Sequence, residues 1–222
     1  FAVGKAEGFT CTSQWRDLAG RRFAMYTLGT NGYQLAGGGS AGHLKIFNVD
    51  PSQDRADEDG ILGAPYLSFA AHQRWISECS FMSQFPNQLL TSSDDGSVSM
   101  WRIPPPGSAL LEDELDPLRT TFSLHSHGIY SLHEVQGQVM TSSKDGSVTL
   151  SLAGDRGIEM VRHVDQVHKG VVKCVRMDAV TPQLFATCGN DRCIHVGDLR
   201  QGGDPIFLSF PGAHDLAINS VR

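Results

Sequence analysis

The chain has 222 residues, 40% of them hydrophobic and 8% aromatic, with 24 Gly and 10 Pro. That is enough for one large domain or two small ones, and the glycine and proline content argues for many turns and against a helical bundle. Eighteen Lys and Arg against 24 Asp and Glu leave a net charge of −6, which argues against direct nucleic-acid binding, and no apolar run reaches the length of a membrane span. The odd set of cysteines (Cys11, Cys79, Cys174, Cys188, Cys193) suits free thiols in a reducing compartment. No charged and then apolar leader opens the chain. The expected location is intracellular, nucleus or cytoplasm, rather than secreted.

In chain order, the first informative stretch is Ala36 to Ile46. Its glycines fit both a dinucleotide fingerprint and a nucleophile elbow, but both motifs need a helix next. An alternating strand, His43 to Val49, follows instead, so the glycines read as a hairpin turn. Residues 50–64 form an acidic insertion carrying Asp57, Glu58 and Asp59. It fails as a calcium loop, because a glycine at loop position 6 would put Arg55 and Tyr66 at ligand positions.

Tyr66 to Phe69, His72, the apolar Ile76 to Met82 and the hairpin Thr91 to Met100 come next. A second insertion, 104–118, carries Glu112, Asp113, Glu114 and Asp116. The pattern then recurs with Thr121 to Leu124, His125, Ile129 to Val135 and Thr141 to Leu150. It recurs again with His168, Val172 to Met177 and Thr187 to Val196. Ile206 to Phe210 and His214 open it once more. The intervals from His72 to Asp95, His125 to Asp145 and His168 to Asp191 are 23, 20 and 23 residues. Each unit reads as four short strands in about 45 residues with tight turns and no helix.

The chain resembles the WD-repeat (WD40) family of β-propellers over about residues 30–222. The resemblance implies an all-β fold of four-stranded blades, about four to five of them present, as part of a seven-bladed ring. The blades fall roughly at 15–50, 66–104, 118–153, 158–200 and, in part, 205–222. His214 to Arg222 read as the opening strand of a further blade. The ring within these residues is then incomplete, completed by more of the same chain or by another chain. The resemblance also implies a hydrogen-bonded set of His72, Ser93, Asp95 and Trp101, complete in one unit alone. The Trp position becomes Phe47, Ser151 and Gly197 elsewhere.

Several residues invite other readings. His72, Ser93 and Asp95 have the composition of a hydrolytic triad, but recurrence of the His and Asp in every unit favours a structural network. Cys188 and Cys193 flank the third hairpin turn beside His195; they read as packed thiols, with no metal or cofactor called for. Trp75 stands just before Ile76 on the rim, and Asp94, Lys144 and Asn190 occupy equivalent positions just before the turn aspartate; together they read as a partner-binding surface. Asp57, Glu58 and Asp59 would add an acidic rim for a basic partner.

Leu184 to Arg200 is similar to the box of WD proteins that serve as substrate receptors of cullin–RING ubiquitin ligases. That similarity implies adaptor docking by Arg200, with Asp198 holding the turn. The expected function is a non-enzymatic protein-interaction scaffold in a multiprotein assembly; a ligase substrate receptor and a Ser/His/Asp hydrolase are the alternatives. No membrane partner is expected.

Overall fold

The computed structural model describes residues 24–49, 65–105 and 119–221. They form sixteen strands in four antiparallel sheets of four, with no helix among the described residues. The first sheet holds β1 (Met25–Thr30), β2 (Gln34–Gly39), β3 (His43–Asn48) and β4 (Leu67–Ala70). The second holds β5 (Ile76–Phe81), β6 (Gln88–Ser93), β7 (Ser97–Arg102) and β8 (Arg119–Ser123). The third holds β9 (Ile129–Val135), β10 (Gln138–Ser143), β11 (Val148–Gly154) and β12 (Gly157–Val164). The fourth holds β13 (Val172–Met177), β14 (Leu184–Gly189), β15 (Ile194–Asp198) and β16 (Ile206–Phe210). Each is a propeller blade.

The blades are offset from the sequence units by one strand. Leu67–Ala70 precedes His72 in the repeat but closes the first sheet by pairing with β3. Arg119–Ser123 and Ile206–Phe210 likewise close the second and fourth sheets. No strand forms after β16 among the described residues. His214 onward runs as bends and coil rather than the expected opening strand, since no neighbouring strand lies alongside to share a ladder. His214 itself stays exposed.

Adjacent sheets pack face to face. Ile46, Leu67, Ile76, Leu89 and Trp101 form one cluster between the first two blades. Leu90, Val98, Met100, Ile129 and Leu132 form the next, and Met140, Val148, Val172, Val175 and Phe185 the third. Leu89 and Leu90 are consecutive yet belong to different clusters, because successive strand residues face opposite sides. A strand such as β6 is therefore buried along its whole length, which excludes charge and favours Leu, Thr and Ser. The first strand of each blade lies innermost, and β1, β5, β9 and β13 pack side by side. Tyr26 and Leu28 on β1 and Phe207 and Phe210 on β16 remain exposed.

Tight turns bring each blade against its neighbour. Gly42, Gly96 and Gly146 hold φ of 72°, 84° and 88°, and their carbonyls accept the backbone N–H of His72, His125 and His168. A Cβ on them would come within 2.1, 2.9 and 2.8 Å of the same histidines' carbonyl oxygens. Glycine is required there both for conformation and for space. The fourth blade places Arg192 (φ 66°) in this role, its carbonyl bonded by Ala213 as Gly42 is by Ala71.

Candidate functional site

The repeated His and Asp meet in three blades. His72 Nδ1 lies 3.2 Å from Asp95 Oδ2 and its Nε2 2.8 Å from Thr91 Oγ1. Trp101 donates its indole N–H to the same Thr91 oxygen at 2.9 Å. The hydroxyl of the network is thus Thr91, not Ser93. Ser93 bonds the Arg74 carbonyl and accepts the Asp95 N–H, bracing the turn. With His72 Nε2 engaged by a fully buried threonine and Ser93 out of its reach, the hydrolytic triad is not assembled. The recurrence of threonine was the available signal: Thr141 and Thr187 fill the same place, whereas the Ser93 position becomes Gly189.

The link to the aspartate varies with one residue. Ser97 Oγ lies 3.2 Å from His72 Nδ1, beside the direct Asp95 contact. In the third blade Ser147 Oγ inserts at 2.9 Å from His125 Nδ1, and Asp145 Oδ2 retreats to 3.7 Å. In the fourth, Cys193 stands there instead and His168 Nδ1 meets Asp191 Oδ1 directly at 2.8 Å. Burial raises the pKa of Asp95 and Asp145, but hydrogen bonds from His72 and Ser97, and from Ser147, outweigh it and leave both lowered. Burial drives His125 the other way, down to about 4, against the pull of Asp145.

Gly197 stands where the second blade has Trp101. Leu89 pairs with Trp101 in register, and Phe185 pairs with Gly197. The Phe185 ring lies over the glycine, 2.3 Å from where a Cβ would sit. The aromatic has moved to the neighbouring strand, a substitution that the sequence reading, tied to one column, did not see. Cys188, expected against Cys193, pairs in register with Cys174 instead, both buried. Cys193 is half-buried in the turn, its thiol on the Asp191 carbonyl.

At the rim, Trp75 stands edge-on between Tyr26 (5.9 Å) and Tyr130 (5.5 Å), and Lys173 lies 4.2 Å over the Tyr130 ring. Tyr26, Tyr130 and Lys173 sit at the beginnings of β1, β9 and β13 and Trp75 immediately precedes β5, so aromatics from three blades and a lysine from the fourth form one row. Asp94, Lys144 and Asn190 stand at the same end. Their backbone N–H groups bond the carbonyls of Trp75, Gly128 and Val171, one per blade. Asp94 pairs with Arg74 at 3.1 Å, while Lys144 and Asn190 are exposed.

Deeper along the innermost strands, Glu78 accepts from Arg176 (2.9 Å), Ser131 (2.9 Å) and the Leu132 N–H (2.8 Å), tying three blades together. Asp57, Glu58 and Asp59 lie outside the described residues, as does most of the 104–118 insertion.

Asp198 grips Arg200 through the latter's backbone N–H (to Oδ1, 2.9 Å), Nε (to Oδ1 at 2.9 Å and Oδ2 at 3.1 Å) and Nη2 (to Oδ2, 2.7 Å). The guanidinium stays 60% exposed. Arg162 of the preceding blade fixes this segment by donating to the carbonyls of Leu199 (2.8 Å), Gln201 (2.9 Å) and Gly203.

Four antiparallel four-stranded blades, with a His–Thr–Trp and His–Asp network between strands, define an all-β chain of the propeller class. The chain resembles the WD40-repeat family: residues 63–102 match the family model of the WD domain, G-beta repeat. It is also similar to glutamate-rich WD repeat-containing protein 1 of Dictyostelium discoideum, 25% identical over 142 residues. That match covers 61% of this chain and 30% of the relative, so the chain spans under a third of the relative's length. WD40 domains in general mediate binding to other proteins. No helix among the described residues is long and apolar enough to cross a membrane.

Proposed function

We propose that the chain is a non-enzymatic interaction module of a multiprotein assembly, docking partners on the rim centred on Trp75. The observation that carries this reading is the row Tyr26, Trp75, Tyr130 and Lys173. Large aromatics at a polar rim offer contact area at little conformational cost and dominate many interfaces. Around them Asp94, Lys144 and Asn190 vary in charge on an unvarying backbone frame, which lets one scaffold discriminate between partners. The Glu78, Ser131 and Arg176 tie holds the blades beneath the rim in fixed relation, so the surface is organised before a partner arrives. The test is affinity purification of the chain beside a Trp75→Ala variant of unchanged thermal stability. Partners recovered with the parent should drop at least tenfold with the variant; equal recovery removes the rim from the interface.

A second reading, substrate receptor of a cullin–RING ligase, rests on Arg200. Its exposed guanidinium is oriented by Asp198 and presented on a segment clamped by Arg162. Co-purification of a ligase adaptor that is lost in Arg200→Ala supports it, and absence of any adaptor from the parent's purification ends it.

A further inference from the structure

The fourth blade differs from its neighbours at one position whose chemistry the scaffold role does not use. Opposite the network threonine, the second blade pairs Thr91 with Ser99 and the third pairs Thr141 with Thr149. The fourth pairs Thr187 with His195. A second imidazole thus stands where the second and third blades have a hydroxyl, its ring centroid 4.4 Å from that of His168. His168, Asp191 and His195 bring their ligand atoms within 4.8 Å of one another.

We propose that His168, Asp191 and His195 form a binding site for a divalent transition-metal ion of the zinc type. Two nitrogens and one carboxylate oxygen are the donor set of a three-ligand zinc site with one position open to water. The hydrogen bonds that orient such ligands are already in place. His168 bonds Thr187 through Nε2 (2.9 Å), which turns Nδ1 to Asp191. His195 bonds Ser209 through Nδ1 (2.8 Å), which leaves Nε2 as its donor. Each imidazole therefore has one nitrogen engaged by a hydroxyl and the other left for the ion, the pattern in which an outer partner sets tautomer and ring orientation. Asp191 is held by the N–H groups of Lys169 and Cys193 at 3.0 and 3.1 Å.

Tetrahedral zinc ligands about 2.0–2.1 Å from the ion stand roughly 3.3 Å apart. By that standard the 2.8 Å between His168 Nδ1 and Asp191 Oδ1 has to open by about half an ångström, and the widest separation in the cluster, within 4.8 Å, has to close by up to about 1.5 Å. Moving the single imidazole proton of His168 from Nδ1 to Nε2, where Thr187 Oγ1 accepts it, frees the Nδ1 lone pair for the ion without changing the number of protons. A cleft of about 490 Å³, lined among others by His163, Asp165, His195, Asp204 and Ser209, gives a polar approach from solvent.

The network in this blade has no tryptophan, because Gly197 stands in its place. A metal ion would bind β15 to the segment carrying His168.

Zinc titration by calorimetry at pH 7.5 tests the site. The parent chain should bind one Zn²⁺ at low micromolar concentration. His195→Ser, which reproduces Ser99, and His195→Thr, which reproduces Thr149, borrow residues that the fold already accommodates. Each should weaken binding at least tenfold while thermal stability without metal is kept. Absence of binding by the parent at 100 µM zinc overturns the proposal. So does undiminished binding by the two variants, or binding that a His163→Ser substitution abolishes instead, which moves the ion to the cleft wall.

Discussion

Trp101 and His72 meet on one hydroxyl: the indole N–H donates to Thr91 Oγ1 at 2.9 Å, and the same oxygen lies 2.8 Å from the imidazole Nε2. The three side chains come from two adjacent strands and from the loop before the sheet, so one threonine holds together parts of the blade that the backbone ladder does not join. Asp95 completes the line from the other side of the imidazole.

Removing that hydroxyl should be costly. Thr91→Val keeps the shape but leaves His72 and Trp101 each with a buried polar atom lacking a partner, a loss of about 2–4 kcal/mol. Ser93→Ala removes a turn brace only and should cost about 1 kcal/mol. Urea denaturation of the two variants should rank them in that order; equal losses would return Ser93 to the network.

The turn positions give a paired expectation. Gly96→Ala combines a left-handed φ with a Cβ 2.9 Å from the His125 carbonyl and should destabilise by about 2 kcal/mol or more. Arg192→Gly relieves a side chain of the same conformation and should stabilise by up to about 1 kcal/mol. Thermal melting reads both, and a lower melting temperature for Arg192→Gly would contradict the strain argument.

Gly197→Trp, which restores the residue of the second blade, should destabilise the fourth, because the Phe185 ring occupies the space. Adding Phe185→Leu, which copies Leu89, should recover much of the loss. A double-mutant cycle measures the coupling. Additive effects would mean that the two positions do not share the space.

Acid should weaken the fold in two windows. Burial lowers His125 to about 4, so the folded state keeps it neutral while the unfolded chain takes up a proton near the ordinary histidine value. Stability is full above about pH 6.5 and falls by up to about 1.4 kcal/mol per pH unit as pH drops toward 4. The aspartates, lowered by their hydrogen bonds, keep their contribution through that window and lose it only below the ordinary carboxylate range. Urea midpoints at pH 7.5 and 5 should therefore differ in the parent and differ less in His125→Gln, where His133 and His195, also lowered by burial, still contribute. A parent with equal midpoints would refute the burial argument.

Strand positions, turns and the His and Asp partners were legible because they recur at fixed spacing and depend on local geometry. The choice between Thr91 and Ser93 was not settled by strand period, since residues two apart share a face; only the glycine at 189 separates them. The Phe185 and Gly197 exchange crosses strands, and the row of Tyr26, Trp75 and Tyr130 crosses blades. Neither leaves a signature in any one segment. His168, Asp191 and His195 converge for a related reason: 27 residues separate the first from the last, and cross-strand pairing alone brings them together. The offset between repeat and sheet was hidden as well, because pairing partners, not sequence order, decide where a sheet ends.

That offset has a consequence for how such a chain can grow. A duplicated repeat delivers the last strand of one sheet and the first three of the next, joined at a histidine whose N–H is bonded to the previous turn. A single copy cannot bud off as a self-sufficient fold, because it would carry one orphan strand and lack another. Each addition extends the array only by interlocking with the copy before it, so length can change by whole links while the joints between them stay the same.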